Sequence, residues 1–321
     1  MIELEENTSL EELQRLPFWE KGEILVSSDP AGEGNMNLVL RVKTNRRSVI
    51  LKQSKPYVRK YPQIAAPINR IEIEKTYYSL IETDKVLKGF SPKVLAYLPE
   101  SHLLILEDLG LGSDFTFLYG GKNTLDPQIL KGLADYLNAL HGLQIESFPD
   151  NSVMKKLNHE HIFNFPFAVE NGFDLDSIQQ GLQEISMDYK REKELKEALT
   201  KLGDRYLSNG NTLLQGDFYP GSWLNVAGGL KIIDPEFGFL GDKEFDLGVL
   251  FAHFSLAHQH ENLRKEFLKE YKHPFSAELL DQYQGVEILR RLIGIAQLPV
   301  SLSLSQKKSL LEKARNLVLR N

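Results

Sequence analysis

The sequence predicts an α+β fold with two unequal lobes, and its length and segment order are the main reasons. A chain of 321 residues is long for one hydrophobic core and short for three, which favours two. Strand-like segments dominate up to about residue 108, and helical periodicity dominates after it. Only a short pair of strands, Asn211–Leu214 and Leu230–Ile233, interrupts the helical part. We therefore expect a small, mainly antiparallel lobe over residues 1–108 and a larger, mainly helical lobe over residues 109–321.

Composition excludes several classes of protein. Hydrophobic residues make up 42% and charged residues 26% of the chain, which are ordinary globular values. The net charge of −6 gives no electrostatic footprint for nucleic acid. The absence of cysteine excludes disulfides and thiolate metal sites. The acidic first residues do not resemble a secretory signal, and no apolar run reaches the roughly 20 residues that span a bilayer. We expect a cytoplasmic protein that binds neither nucleic acid nor membrane.

The first lobe is predicted from strand composition and one helical pattern. Ser9 and Glu12 have the spacing of a capping box and predict a short helix over Ser9–Leu16. Segments rich in β-branched and aliphatic residues then predict five strands. The strand segments are EILVSS (23–28), NLVLRVKT (37–44), SVILKQS (48–54), KVLAYL (93–98) and LLILED (103–108). A helix is expected from Arg70 to about Thr83, because its apolar side chains recur on one face with Glu74 on the flank and Glu72 farther round.

The second lobe is predicted from the 3.6-residue periodicity of its apolar residues. Leucines at helical spacing predict one helix that stops at Gly142 and another that ends before Asn209. Four further helices are expected, at Glu244–His258, Asn262–Tyr271, Glu278–Gln297 and Gln306–Leu319.

The two strands of the second lobe each deliver an aspartate into the following loop, Asp217 and Asp234. A carboxylate at the end of a buried strand is costly unless it meets a cation or a proton donor, so the pair suggests a charged site. Lys52 on a strand and Glu74 on a helix precede them. A lysine, a glutamate and two aspartates in this order are the parts that move a phosphoryl group.

The local motifs add a family resemblance. The segments QGDFYPGS (215–222) and IIDPEF (232–237) resemble the catalytic loop and metal-binding motif of the aminoglycoside phosphotransferase and choline kinase superfamily, which is related to the protein kinases. Within it, the chain is most similar to the 5-methylthioribose kinases. The segments that carry this likeness are GNMNLVLRV (34–42), VILKQSKPYVR (49–59), LLILEDLG (103–110), GDKEFDLG (241–248) and ILRRLIGIAQ (288–297).

The resemblance implies a protein-kinase-like two-lobed fold, with the first lobe binding nucleotide and the second binding substrate. It implies ATP and Mg²⁺ as cofactors, a small-molecule acceptor and, as an assembly, a homodimer. Asp217 matches the catalytic aspartate facing the acceptor hydroxyl, and Arg290 and Arg291 match the arginines that close over the methylthioribose. The matching nucleotide-binding positions are Asn35, Lys52, Glu74, Glu107 and Leu109. The matching metal-binding positions are Asp234, Glu236 and Ser222, with Asn225 in reserve for Ser222.

Two departures leave alternatives open. Gln215 stands where the superfamily usually has histidine, and the segment between about Gly110 and Gly210 is shorter than in methylthioribose kinases. The acceptor could therefore be another sugar, an amino alcohol or a drug, and a catalytically silent nucleotide-binding protein is a further alternative. Asp246 is interpreted as structural, either as a helix cap or as an anchor of the catalytic loop. Arg290 and Arg291 point about 100° apart on a helix, so one of them could simply face solvent.

Overall fold

The computed structural model describes residues 2–32, 36–259 and 262–320. The strands are β1 (Leu25–Pro30), β2 (Leu38–Thr44), β3 (Ser48–Gln53), β4 (Tyr57–Val58), β5 (Tyr61–Ala65), β6 (Val94–Leu98), β7 (Leu103–Glu107), β8 (Gly112–Asp114), β9 (Thr212–Leu214), β10 (Trp223–Val226), β11 (Gly229–Ile232) and β12 (Phe239–Gly241). The α-helices are α1 (Leu10–Gln14), α2 (Arg70–Ile81), α3 (Pro127–His141), α4 (Ser152–His159), α5 (Leu182–Arg191), α6 (Lys193–Leu207), α7 (Glu244–Leu256), α8 (Asn262–Glu270), α9 (Ala277–Ile293) and α10 (Leu304–Leu319). A π-helical turn, Glu160–Asn164, follows α4.

The first compact unit comprises Met1–Gly112 and Val226–Phe237. Its centre is a five-stranded sheet in the order β1-β2-β3-β7-β6, and every neighbouring pair is antiparallel. β3 lies in the middle, where Lys52 is opposite Val39 of β2 and Leu104 of β7. Lys52 on this central strand is thereby flanked by an apolar residue on each neighbouring strand.

One face of this sheet forms an apolar core with α1. Leu13 of α1 is fully buried together with Leu40, Val42 and Val49 of the sheet. The predicted capping box is present, since Ser9 and Glu12 each accept a hydrogen bond from the other's backbone N–H. Helix α2 contacts β6 and β7. The framework that holds Lys52 is therefore packed by helices and not left as an open sheet.

The second compact unit comprises Ser113–Asn225 and Gly238–Asn321. Helix α7 packs along α9, and α9 packs along α10. Helix α7 is buried on nearly all sides, as its almost uniformly apolar sequence requires. Strands β9 and β12 pair in antiparallel register, with Leu214 opposite Phe239. The loop after β9 and helix α9, which carry predicted site residues, are thus held by the buried centre of this unit.

The small antiparallel sheet and the larger helical part confirm the predicted fold class. All predicted helices and strands are present, with bounds that differ by a few residues. Strands β4, β5, β8, β10 and β12 were not predicted, because each has only two to five residues. Helices α4 and α5 were not predicted either. None of the helices in the described residues is both long and apolar enough to cross a membrane.

The compact units differ from the predicted lobes in two segments, residues 109–112 at the boundary and residues 226–237. Residues 226–237, assigned to the second lobe from their position in the chain, group with the first unit. The reason is visible in Lys231 and Ile232, whose side-chain ammonium and backbone N–H bind the backbone carbonyls of Gly89 and Phe90 at 2.7 Å each. Asp234 and Glu236 thereby belong to the same unit as Lys52.

Candidate active site

In the first unit, the buried ammonium of Lys52 lies between two carboxylates. Its Nζ is 2.7 Å from Oε2 of Glu74 on α2 and 2.5 Å from Oδ1 of Asp234, which follows β11. Glu74 is completely buried, whereas Glu72 lies on the exposed face of the same helix and accepts a hydrogen bond from Tyr97. The helical periodicity therefore singled out the glutamate that meets the lysine.

Burial and the opposite charge nearby shift the pKa values of Lys52 and Glu74 in opposite directions. Burial opposes the charge on Lys52, but Asp234, Glu74 and Glu236 together outweigh it and raise the pKa of the ammonium. Burial raises the pKa of Glu74 to about 7, with Lys52 opposing that shift. Lys52 is therefore firmly protonated at neutral pH. A cation held this way can pair with an anionic ligand that displaces one carboxylate.

Asp234 is the more accessible carboxylate of the set. Its backbone is in the left-handed region, with φ of 57°, which is uncommon for a residue other than glycine. The backbone N–H of Asp234 donates to the Tyr78 hydroxyl at 3.2 Å, and 46% of its side chain is exposed. This turn carries the carboxylate past the end of β11, where a metal ion in solution can reach it.

Glu236 is held by a buried arginine that sequence reasoning missed. Its Oε2 lies 3.1 Å from Nε of Arg70 and accepts a hydrogen bond from Asn37 at 3.0 Å. Arg70 is fully buried and also donates to four backbone carbonyls, those of Met36, Lys55, Tyr57 and Pro67. No sequence pattern indicated this role, because three of the four carbonyls lie 13 to 34 residues away in the chain.

The predicted adenine-binding segment follows β7. The backbone N–H of Glu107 donates to the backbone carbonyl of Lys93 at 2.9 Å. The next residue, Asp108, is fixed by Arg41 Nε at 2.9 Å and by Ser48 Oγ at 2.6 Å, and it accepts from the backbone N–H of Gly110. These bonds fix the backbone on both sides of Leu109. The remaining predicted nucleotide contact, Asn35, lies outside the described residues.

In the second unit, Asp246 fixes the loop that carries Asp217. Asp246 is fully buried, and its carboxylate accepts from the backbone N–H groups of Gln215 at 2.9 Å and Gly216 at 3.0 Å. His141 Nε2 lies 3.2 Å from the same carboxylate. Asp246 therefore anchors the loop, and the alternative that it caps α7 is wrong because α7 begins two residues earlier.

Gln215 and Ser222 close the loop around Asp217. The Gln215 side-chain oxygen accepts from the backbone N–H of Asp217 at 2.7 Å, so it supports the loop as expected of this position. Ser222 is buried, and its hydroxyl donates to the Asp217 backbone carbonyl at 3.0 Å. Asn225 is exposed on β10. The Ser222 oxygen keeps lone pairs, but its proton is used within the loop.

The side chain of Asp217 faces both predicted arginines. Its Oδ1 is 3.2 Å from Nη2 of Arg291 and 3.5 Å from Nη2 of Arg290. The arginines are only 8% and 5% exposed, so the alternative that one of them is simply solvated is wrong. A buried carboxylate, Glu287, bonds to both through their Nε atoms. Its spacing of three and four residues from the arginines was a signal in the sequence that could have found it.

The described residues contain no group of three or more histidine, aspartate or glutamate side chains arranged to hold a metal by themselves. Such a cluster is not required for Mg²⁺, which proteins commonly hold through one or two carboxylates plus substrate phosphates. Asp234 fits that use as an accessible oxygen ligand. Glu236 fits it less well in this arrangement, because its Oε2 already receives Arg70 and Asn37.

Comparison with known proteins finds methylthioribose kinases, while no family model matches the chain. The chain is 30% identical over 263 residues to the methylthioribose kinase of Exiguobacterium sibiricum, covering 76% of this chain and 65% of that protein. It is 29% identical over 238 residues to that of Erwinia tasmaniensis, covering 70% of this chain and 58% of that protein. The chain thus spans less than two thirds of the length of these relatives.

Solved structures show the fold. The structure of LicA in complex with AMP superposes with a TM-score of 0.54 at 15% identity, covering 96% of this chain and 97% of that one. The gentamicin complex of APH(2")-IIa superposes with a TM-score of 0.54 at 16% identity, covering 100% and 98%. The protein therefore has the kinase-like fold of these proteins, as the motif resemblance implied.

Proposed function

We propose that the protein is an ATP- and Mg²⁺-dependent kinase that phosphorylates a hydroxyl group of 5-methylthioribose or a related ribose derivative. The observation that carries this proposal is the pairing of Asp217 with Arg290 and Arg291. It joins the aspartate that the motif assigns to the acceptor hydroxyl with the arginines that the motif assigns to methylthioribose. Similarity to methylthioribose kinases supports the same substrate class.

In the proposed mechanism, the residues of the first unit bind the nucleotide. The backbone around Glu107 and Leu109 would hold the adenine, and Asn35 would bind the nucleotide. Lys52 would neutralise phosphate charge, and Glu74 would orient Lys52. Asp234, with Glu236 and Ser222 as further candidates, would hold Mg²⁺. When bound, Mg²⁺ supplies positive charge to the phosphate oxygens.

In the second unit, Asp217 binds the acceptor hydroxyl and receives its proton as the oxygen bonds to the γ-phosphorus. The bond from that phosphorus to the β-γ bridging oxygen breaks, and ADP leaves. Arg290 and Arg291 hold the sugar and stabilise negative charge near the reacting oxygen. Catalysis then rests on positioning and electrostatics rather than on a covalent intermediate.

The same arginines argue against a cationic acceptor. Choline-like alcohols and aminoglycosides carry ammonium groups, which two guanidinium groups beside the reactive aspartate would repel. The retained ion pairs of Lys52 with Glu74 and Asp234 argue against a catalytically silent protein. A cytoplasmic location, where ATP is available, and a homodimeric assembly stay predictions.

A panel of acceptors tests the proposal. Purified protein with Mg-ATP is assayed with 5-methylthioribose, ribose, choline and gentamicin, and kcat/KM is measured for each. The proposal expects the highest value for 5-methylthioribose. Preference for choline or gentamicin would overturn the proposed substrate class. If no phosphate is transferred to any of these four compounds, nor to other sugars and amino alcohols, the kinase assignment would be overturned.

A further inference from the structure

We infer that Glu287 is a positioning residue for the acceptor, which fixes both arginines in the orientation that aims them at Asp217. The inference rests on the proposed function, because that proposal places the arginines on the acceptor. Glu287 does not touch the substrate in this account. It acts through Arg290 and Arg291, which follow it by three and four residues on α9.

The two carboxylate oxygens of Glu287 are divided between the two arginines. Oε2 accepts from Nε of Arg290, and Oε1 accepts from Nε of Arg291 at 2.8 Å. A guanidinium group is planar and rigid, so fixing its Nε also fixes the direction of its terminal nitrogens. The free ends of both groups point to one atom, Oδ1 of Asp217.

A histidine fixes the Glu287 carboxylate from the other side. Nε2 of His253 is 3.0 Å from Glu287 Oε1, and Nδ1 of the same ring is 2.6 Å from the Tyr119 hydroxyl. An ionised carboxylate only accepts hydrogen bonds, so Nε2 carries the proton and Nδ1 accepts from Tyr119. Burial, opposed by the hydrogen bond to Glu287, lowers the pKa of His253 to about 4, so the ring is neutral. The negative charge of Glu287 therefore compensates the positive charge of the two arginines at their Nε atoms.

Arg291 has an additional constraint. Its guanidinium carbon lies 5.1 Å from the ring centroid of Tyr219, a residue of the Asp217 loop, and that ring lies 5.2 Å from the His253 ring. Burial opposes the charge of Arg291, but Glu287 and Asp217 outweigh it and raise the pKa of the guanidinium. The arginine is thus held charged, between an aromatic face and two carboxylates. All these groups lie in the second unit, so a change at Glu287 should act on the acceptor and not on the nucleotide.

Substitution Glu287→Gln tests whether Glu287 affects the acceptor and not the nucleotide. It keeps the size of the side chain but removes the charge and leaves one acceptor for two Nε donors. We expect kcat/KM for 5-methylthioribose to fall on the order of 100-fold, because misplacing acceptor-binding groups has effects of that size. The KM for ATP should stay within about twofold of wild type. Asp281→Asn is the matched control. Asp281 lies on α9 like Glu287, about 15 Å from Arg291 along the helix axis. The substitution breaks an ion pair with Arg264 of α8.

A second variant separates positioning from folding. Glu287→Asp keeps the charge but withdraws it by one methylene, so it should fold and still lower kcat/KM for 5-methylthioribose. Equal losses for acceptor and ATP, or activity in both variants equal to that of Asp281→Asn, would overturn the inference. Failure of both Glu287 variants to fold would assign the residue to stability and also overturn it. An inactive wild-type protein beside inactive variants would instead refute the proposed function on which the inference rests.

Discussion

The loop around Asp217 holds the backbone of this residue on both sides. Its N–H and carbonyl bond to Gln215 and Ser222, and its side chain contacts the terminal nitrogens of Arg290 and Arg291. We expect Asp217→Asn to lower kcat by about 100- to 10,000-fold, because an amide cannot accept the hydroxyl proton. The melting midpoint should also fall, because the substitution removes a carboxylate partner from two nearly buried guanidinium groups.

The control for this substitution is Asp135→Asn, which removes an exposed carboxylate that forms a surface ion pair with Lys131. That variant should keep wild-type kcat, as expected for a surface ion pair. Wild-type turnover in Asp217→Asn would show that the reactive aspartate has been misassigned.

Glu74 predicts a particular dependence of stability on pH. Its folded pKa of about 7 lies above its ordinary value of 4.5, so the folded protein binds more protons than the unfolded chain between these values. The contribution of Glu74 to the free energy of unfolding is therefore largest below pH 4.5 and is lost as pH rises through 7. Lys52 adds no slope there, because it is charged in both states.

Urea unfolding of the wild type and Glu74→Gln at several pH values measures this contribution. From pH 5 to pH 8, the wild type should lose on the order of 1–3 kcal/mol relative to the variant. Glu72→Gln, on the exposed face of the same helix, should leave the pH dependence unchanged. A wild type that gains stability relative to Glu74→Gln over this range would contradict the account.

At the residue scale, sequence reasoning found the groups whose motifs are local. The helical period distinguished Glu74 from Glu72, and the loop motif identified Asp217. Arg70 shows the limit, since the backbone carbonyls of Lys55 and Met36 that it binds lie 15 and 34 residues away in the chain. Glu287 is an intermediate case. Its spacing to the arginines is visible in the sequence, but its burial and its contact with His253 are not.

At the scale of elements, the position of α9 depends on a close approach to α7. A Cβ atom at Gly248 of α7 would lie 2.6 Å from Cβ of Tyr283 and 2.8 Å from the backbone nitrogen of Gln284. Both contacts are tighter than real Cβ atoms make, and both involve parts of α9 that cannot rotate away. The amino-acid sequence showed a glycine in an apolar helix but not which helix it approaches.

Gly248→Ala should therefore push α9 away and disturb Arg290 and Arg291 at its far end. We expect a loss of about 1–3 kcal/mol in the free energy of unfolding, the usual effect of overpacking, and a higher KM for the acceptor. Gly89→Ala is the control, because among the described residues a Cβ at this position has no non-neighbouring atom within 4 Å. Equal stability and equal acceptor KM in the two variants would show that the α7–α9 contact does not position the arginines.

At the scale of the whole molecule, the order of strands and helices was sufficient to predict the fold class. The grouping of residues 226–237 with the first unit was not predictable from that order, because it depends on long-range hydrogen bonds such as Ile232 to Phe90. This grouping places Asp234 beside Lys52. The chemistry of the first unit is thus assembled from two distant parts of the chain.

Magnesium dependence of nucleotide binding is a property of the entire protein. Ligands that bind only the folded state raise its stability, by about 2.7 kcal/mol at a concentration 100 times Kd. We expect Mg²⁺ with a non-hydrolysable ATP analogue to raise the melting midpoint, and excess EDTA to reverse most of that increase. Asp234→Asn should remove the metal-dependent part, and an unchanged response in this variant would refute Asp234 as a metal ligand.

The most direct test of the proposed activity is phosphorus NMR of the protein incubated with Mg-ATP and 5-methylthioribose. The account predicts loss of the γ-phosphate signal of ATP with matching growth of one sugar phosphate monoester signal and of ADP. The same sample with Asp217→Asn should show neither on that timescale. Release of inorganic phosphate without a sugar phosphate, or no change in the ATP signals, would contradict the account.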